Sequence, residues 1–218
     1  VRDTAGGGKI ITENYQPIFF FKALSSFTLL GGTIECGYTI KSPNTTSKCG
    51  VVYSANKHVT VNIEDGTLRC TGTNQKYNYA LFVGGSTKGN KDKGRAAVTI
   101  SGGTITSENA IAVDIGDDTD ASISGTAKII SGVGKAVMNL ENKTEDRCGT
   151  IQISGGTFSN DPSAYLADGA KALHLADGKY LAATEVAAKA ATCTEAGNKE
   201  YWTAGGNKYT RNEAGVYT

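Results

Sequence analysis

Proline, histidine and net charge are all scarce in this sequence. Of 218 residues, 3 are proline and 2 are histidine, and the formal net charge is +1. So little proline argues against a disordered linker, and the 28 glycines among β-branched residues favour many short strands and tight turns. A net charge near zero gives no whole-molecule field that would attract nucleic acid. We therefore expect a folded, strand-rich chain that does not bind nucleic acid.

Long apolar runs are absent as well. The longest one, from Pro17 to Leu24, is interrupted by Lys22, whereas a transmembrane helix needs about 20 apolar residues. We expect no membrane insertion. The sequence also does not open with a signal peptide, which is typical of a cytosolic chain, a processed chain or a fragment of a longer protein.

The residues of common catalytic and metal sites are few and scattered. The five cysteines form no CxxC pair, which makes a zinc cluster unfavourable, and the compartment cannot be read from them. The histidines, His58 and His174, are isolated, and no Ser-His-Asp or Cys-His pair can be assembled around either. We expect no catalytic residue and no obligatory cofactor.

A short motif returns along the chain at unequal intervals. VTISGGTITS occupies residues 98–107, ISGGTFS residues 153–159, and related copies occur at 29–35, 62–69 and 123–129. The glycines that precede threonine in these copies are 34, 37, 22 and 31 residues apart: Gly32, Gly66, Gly103, Gly125 and Gly156. A motif that is kept while the spacing varies is typical of a β-solenoid, whose strands must stack while its loops differ in length.

Apolar residues at fixed offsets from these glycines predict stacked inward columns, because side chains alternate across a strand. Two columns precede the glycine: Phe27, Val61, Val98, Ala121 and Ile151, and Leu29, Ile63, Ile100, Ile123 and Ile153. A third column follows it: Ile34, Leu68, Ile105, Ala127 and Phe158. A second strand is predicted at 50–53, 80–83, 110–113 and 136–138. The prediction is an all-β, parallel β-helix with glycine at a corner; the alternative is an antiparallel sandwich.

Two segments carry a resemblance to a known group of proteins. ISGGTFSNDPSAYLADGAKALHLADGKYL, residues 153–181, resembles the closing coil of the right-handed, pectate-lyase-like parallel β-helix segments in large secreted surface proteins of gut Firmicutes. AATCTEAGNKEYWTAGGNKYT, residues 190–210, resembles a small repeat appended in the same proteins. The resemblance implies about five to six coils over residues 1–181, a small β module at 182–218, and an extracellular or cell-surface location.

Four aspartates in the segment DIGDDTD form the acidic cluster of the sequence: Asp114, Asp117, Asp118 and Asp120. We place the segment in the turn that follows the strand ending at Val113. Aspartates in turns cap backbone amides, so a solvated turn is the favoured interpretation; a calcium site and a catalytic carboxylate group are the alternatives. The spacing does not match an EF-hand loop.

Two insertions in one predicted coil, 71–79 and 84–96, bring cations and tyrosines together: Lys76, Tyr77, Tyr79, Lys88, Lys91, Lys93 and Arg95. Such residues suit sugars that bear carboxylate or sulfate. Solubilising loops are the alternative. We expect weak, salt-sensitive binding of acidic glycans here, if the loops bind a ligand at all.

Cys36 and Cys70 share the same offset from their glycines, Gly32 and Gly66. They are predicted to be inward neighbours on consecutive coils, either as an inter-coil disulfide or as stacked thiols.

Two classes of function are compatible with these observations. The first is a non-catalytic extracellular rod of adhesin type that binds glycans or host surface proteins and self-associates through its open β-helix ends. The second is a β-helix polysaccharide lyase or hydrolase. We favour the first, because the sequence has repeats and no catalytic constellation.

Overall fold

The protein is all-β in the computed structural model, which describes residues 1–13, 19–22, 24–37, 49–56, 58–72, 78–84, 95–132, 138–140 and 149–218. Within those ranges the one helical element is a 3-10 turn at Ser163–Tyr165, and no helix there is long and apolar enough to cross a membrane. The strands are β1 (Lys9–Thr12), β2 (Phe19–Phe21), β3 (Ser26–Cys36), β4 (Cys49–Ser54), β5 (Thr60–Cys70), β6 (Asn78–Val83), β7 (Ala96–Ile100), β8 (Thr104–Ser107), β9 (Val113–Ile115), β10 (Thr119–Ile123), β11 (Lys128–Ser131), β12 (Met138–Leu140), β13 (Thr150–Ile153), β14 (Gly156–Phe158), β15 (Ala170–His174), β16 (Tyr180–Val186), β17 (Tyr201–Ala204) and β18 (Asn207–Tyr209).

The repeated motifs pair with one another as parallel strands. β3 pairs with β5 along most of its length. The first part of β5 then pairs with β7 and its second part with β8. Two parallel stacks continue from there, β7–β10–β13 and β8–β11–β14, within an open sheet that has 13 strands among the described residues. A separate parallel sheet, with five strands in the same ranges, has the order β12–β9–β6–β4–β2.

The main hydrophobic cluster combines side chains of both sheets, and two of the predicted columns are confirmed in it. Phe27, Val61, Val98, Ala121 and Ile151 are register partners in series. The second column, from Leu29 to Ile153, pairs in the same way. All its members are fully buried and belong to one hydrophobic cluster together with side chains of the five-stranded sheet. Alternation of buried and exposed residues along β7, β10 and β13 produces this arrangement.

The third predicted column contains one error. Ile105 pairs with Ile129, and Ile129 pairs with Phe158, so Ile129 and not Ala127 occupies the column. The cause is a one-residue insertion in this copy: six residue steps separate Ile123 from the column position, whereas five do so in the other copies. Ala127 is nonetheless fully buried at the corner.

One strand of the five-stranded sheet, β9, begins later than predicted. β9 pairs in register with β6, Val113 opposite Leu81 and Ile115 opposite Val83. The prediction at 110–113 therefore ended where the strand begins, because small apolar residues such as Ala110 and Ala112 continue the alternating pattern before it.

Glycine recurs at the corners because successive corners touch. Gly66, Gly103 and Gly156 have φ values of 88°, 71° and 106°, which side chains other than glycine rarely adopt. A Cβ on Gly103 would lie 2.7 Å from the carbonyl oxygen of Gly66, and one on Gly66 would lie 2.8 Å from that of Gly32. Both the backbone conformation and the contact with the preceding corner therefore require glycine.

Antiparallel pairing follows the parallel stack at its C-terminal side. β14 pairs antiparallel with β16, and β16 is flanked further by β15 and β17, with β18 next to β17. A second hydrophobic cluster lies here, formed by Leu173, Leu181, Ala183 and Trp202. The predicted boundary after residue 181 falls inside β16, whose residues contribute to both hydrophobic clusters.

Two exposed apolar side chains, Ile10 and Ile11, lie on β1 at the opposite side of the stack. β1 pairs with β3 as its neighbour. Among the described residues, the large hydrophobic side chains that are exposed are Val1, Ile10, Ile11 and Leu24. The N-terminal side therefore presents an apolar strand edge.

Candidate functional site

The acidic segment is divided between two strands and the turn that joins them. Asp114 lies within β9 and is buried, Asp117 and Asp118 lie in the turn, and Asp120 lies within β10. The prediction that the whole segment forms one turn is therefore wrong. β9 begins later than the apolar pattern suggests and so includes Asp114, and β10 already includes Asp120. Asp118 has a φ of 53°, a left-handed conformation that aspartate tolerates in turns.

Arg95 binds the exposed carboxylate of this segment, which belongs to Asp120. Its Nε donates to Asp120 Oδ2 at 2.5 Å and its Nη2 to Oδ1 at 2.7 Å, and the hydroxyl of Thr150 donates to Oδ1 at 2.7 Å. The hydrogen bonds from Arg95 are the main reason that the pKa of Asp120 is lowered, and they outweigh the opposite effect of burial. Elsewhere in the segment, Arg95 Nη1 lies 3.9 Å from Asp118 Oδ1.

A calcium ion would have to compete with that arginine. In the portion of the chain that the structure describes, no group of three or more His, Cys, Asp or Glu side chains is placed to hold a metal ion. The described residues thus offer the calcium interpretation no supporting geometry, and the acidic segment is instead tied to Arg95 and Thr150.

The predicted ligand-binding residues fall largely outside the described residues: Lys76, Tyr77, Lys88, Lys91 and Lys93. Two of the predicted residues, Tyr79 and Arg95, are described. Tyr79 lies in β6, buried, with its ring centroid 5.5 Å from that of Phe82, which stacks on Tyr53 at 4.7 Å. Arg95 directly precedes β7. The grouping of these residues into one binding surface therefore stays a prediction.

Cys36 and Cys70 are direct register partners on β3 and β5, and both are fully buried. Neither forms a disulfide, so the structure contains stacked thiols. The same column continues through Ser107 on β8 and Ser131 on β11. Ser131 Oγ donates to the carbonyl of Ala110 at 2.9 Å, whereas Ser107 Oγ is buried with no hydrogen-bond partner among the described residues.

Four charged side chains form a chain of ion pairs across the strands. Lys9 Nζ lies 3.2 Å from Glu35 Oε2, Arg69 Nη1 lies 3.0 Å from the same oxygen, and Arg69 also binds Glu108. Burial raises the pKa of Glu35, but the hydrogen bonds from Lys9 and Arg69 outweigh it and the pKa is lowered. Lys9, Arg69 and Glu108 are exposed to solvent, which screens their charges, so a pair between exposed groups such as Arg69 and Glu108 contributes about 0.2–1 kcal/mol. Their role is to favour the strand register.

A cleft in the C-terminal part was not predicted from the sequence. Its volume is about 470 Å³, and its lining combines cations, aromatic rings, one carboxylate and two hydroxyls: Lys171, Lys199, Glu200, Trp202, Thr210, Arg211 and Tyr217. The signal that would have pointed to it is the single tryptophan of the chain, which lies within twelve residues of Lys199, Glu200 and Arg211.

Comparisons with known proteins leave the chain without an assigned family. No model of a protein family, no curated protein and no solved structure matches it.

Proposed function

We propose that this chain is a β-solenoid, a right-handed parallel β-helix of about five to six coils that serves as a non-catalytic rod or binding surface outside the cell. One observation carries the proposal. A single apolar column passes through six successive strands in register, Ile10, Ile34, Leu68, Ile105, Ile129 and Phe158. Stacking of this kind, in which each repeat contacts its neighbours, is the organising feature of solenoid proteins.

The energetics of the column support a structural role. Four of its members, Leu68, Ile105, Ile129 and Phe158, have no solvent exposure, and burial of a side chain of this size contributes about 1.5–3 kcal/mol. The glycine corners add close backbone contacts between coils. The repeated residues are therefore used for stacking, which leaves the outer faces for contact with other molecules.

A polar column on the outer face is the surface that such a rod would display. Thr28, Asn62, Thr99, Ser122 and Gln152 are register partners in series, and the last three are exposed. Strand neighbours stand about 4.8 Å apart, so hydroxyl and amide groups repeat at that interval. Regularly spaced donors and acceptors favour glycans or host surface proteins as partners.

The apolar N-terminal side favours end-to-end association. Ile10 is 43% exposed although it occupies the same column as the fully buried Leu68. A strand edge of this kind accepts another strand. A further coil of the same architecture, or a second copy of the chain, would cover it.

Incubation with pectin, alginate and glycosaminoglycans tests the non-catalytic part of the proposal. We expect no unsaturated and no new reducing ends above a buffer control. Formation of either product, abolished by Asp117→Ala, would favour the lyase or hydrolase alternative.

Light scattering at rising protein concentration tests the association. We expect the mean mass to increase, and Ile10→Lys to suppress the increase. Ile130→Lys is the matched control, because Ile130 lies on the outward side of β11 in the middle of the stack. Equal suppression by both variants, or no association of the parent, would contradict end-to-end contact.

A further inference from the structure

The cleft next to Trp202 contains a buried donor that the described residues leave without an acceptor. Trp202 is 6% exposed, and its ring meets that of Tyr217 edge-on at a centroid distance of 4.9 Å. Its indole Nε1 is buried and has no hydrogen-bond partner among the described residues. Buried donors in proteins are paired with protein, water or ligand in the large majority of cases. The indole N–H is thus an unsatisfied donor on a residue that lines the cleft.

The cleft is held by strands and by the C-terminal tail. β17 supplies Trp202, and β15 supplies Lys171. The tail is fixed by the amide of Tyr217, which donates to the carbonyl of His174 at 3.3 Å, and by reciprocal backbone hydrogen bonds between Thr210 and Thr218. Lining groups on paired backbone are positioned before any ligand arrives, which lowers the entropy cost of binding.

Cations outnumber carboxylates in the lining of the cleft, and two of the cations already have partners in the protein. Lys171 forms an ion pair with Glu185, which raises the pKa of the lysine, and its Nζ lies 5.8 Å from the centre of the Trp202 ring. Arg211 uses Nε in a hydrogen bond to the carbonyl of Gly215 at 3.3 Å. Lys199 completes three cations, against which Glu200 is the one carboxylate that lines the cleft.

This combination selects a ligand that has both an anionic group and hydroxyl donors. A carboxylate would pair with Lys199 and Arg211, whose guanidinium has the planar geometry for bidentate contact. Glu200 and the hydroxyl of Thr210 would meet hydroxyl groups, and the half-buried ring of Tyr217 gives an apolar wall. An inorganic anion offers nothing to Glu200, and a neutral sugar brings no anionic group to Lys199 and Arg211.

We propose that the cleft formed by Lys199, Glu200, Trp202, Arg211 and Tyr217 binds an acidic sugar of the uronic acid type. The volume of about 470 Å³ is within the range of small-molecule sites, about 300–1,000 Å³. It accommodates one sugar unit with water, or two linked units. The lining residues of the cleft belong neither to the stacked columns that support the rod nor to the basic segments predicted at 71–79 and 84–96.

The single tryptophan makes the test specific. In a ¹⁵N-labelled sample the chain gives one indole N–H resonance, and its emission spectrum reports on the same side chain. Titration with glucuronic acid should shift that resonance with a dissociation constant on the order of 1 mM, as expected for one sugar unit. Glucose, sulfate and alanine serve as the neutral sugar, the plain anion and the small zwitterion.

Variants separate the cleft from other cations. Arg211→Gln and Lys199→Gln should each weaken glucuronic acid binding about tenfold or more. Lys189→Gln should leave it unchanged, because Lys189 belongs to the same module, binds Glu195 and does not line the cleft. A variant with serine at Lys88, Lys91, Lys93 and Arg95 should also bind normally. Normal binding by this variant would show that the predicted basic loops are not required for binding in the cleft.

Several results would overturn the proposal. They are the absence of any indole shift with glucuronic acid, equal or tighter binding of glucose, sulfate or alanine, and binding that persists in both cleft variants. Loss of binding in the loop variant alone would assign acidic sugars to the loops instead. Each of these outcomes leaves the rod proposal untouched, since none of them depends on strand stacking.

Discussion

Replacement of a corner glycine by alanine should separate two reasons for its presence. In Gly103→Ala the backbone keeps a φ of 71°, and the new Cβ lies 2.7 Å from the carbonyl oxygen of Gly66. A left-handed conformation costs an L-residue about 1–2 kcal/mol, and overpacking against backbone costs about 1–3 kcal/mol. We expect a loss near 3 kcal/mol, which corresponds to about 6–12 °C in Tm for a chain of this length.

Two other glycines supply matched controls. Gly169 and Gly178 have φ values of 78° and 79°, and a Cβ on either meets nothing within 4 Å. Alanine there introduces the same backbone strain without the contact, so we expect a loss of about 1 kcal/mol, or about 2–4 °C. Gly102 provides the reverse case, because it lacks a positive φ and its Cβ would collide with the carbonyl of Glu64.

Thermal unfolding followed by circular dichroism measures all of these variants. The expected order of destabilisation places Gly103→Ala clearly above Gly169→Ala and Gly178→Ala, with Gly102→Ala also above them. Equal Tm values for Gly103→Ala and Gly169→Ala would show that contact between successive corners does not stabilise the fold. Close approach of the corners would then not be the reason that the glycine motif repeats.

The other predictions concern one ion pair and one buried column. The folded pKa of Asp120 lies below its unfolded value of about 3.9. Its pairing with Arg95 therefore stabilises the fold above that pH, and this stabilisation is lost as the pH falls through the lower folded pKa. The decrease of Tm in acid should be shallower in Asp120→Asn than in the parent, and an unchanged profile would argue against the pair. Ser107→Ala should be neutral or stabilising, since it removes a buried hydroxyl without a partner among the described residues. Ser131→Ala, at the next position of the column, should lose about 1 kcal/mol with the hydrogen bond to Ala110, and the opposite order of the two Tm values would contradict these assignments.

The sequence predicted the inward columns well because side chains alternate between the two faces of a strand with a period of two residues. Val61 and Val98 pair as expected, and so do Ile63 and Ile100. The adjacency of Cys36 and Cys70 follows from the same arithmetic, since identical offsets place residues on the same side of neighbouring strands. Periodicity within a strand was therefore sufficient wherever the distance from the glycine was constant.

The candidate sites were less accessible to sequence reasoning. The ion pair between Arg95 and Asp120 joins residues 25 positions apart, and no local pattern indicates it. The C-terminal cleft depends on Lys171 and Arg211 approaching the same tryptophan from different segments. Such side chains are brought together by antiparallel pairing around β16, which the repeated motif of the parallel stack does not reveal.

The extra residue near Ala127 shows where this architecture can change in length. Within a strand, an insertion of one residue would reverse the facing of every side chain that follows. At the corner it does not do so: the amide of Thr126 donates to the carbonyl of Ser101 at 3.1 Å, and Ile129 still pairs with Ile105. Insertions and deletions should therefore accumulate at corners and in the segments between stacks during evolution. Copies of the motif could diverge in length this way while the columns of the core stay aligned.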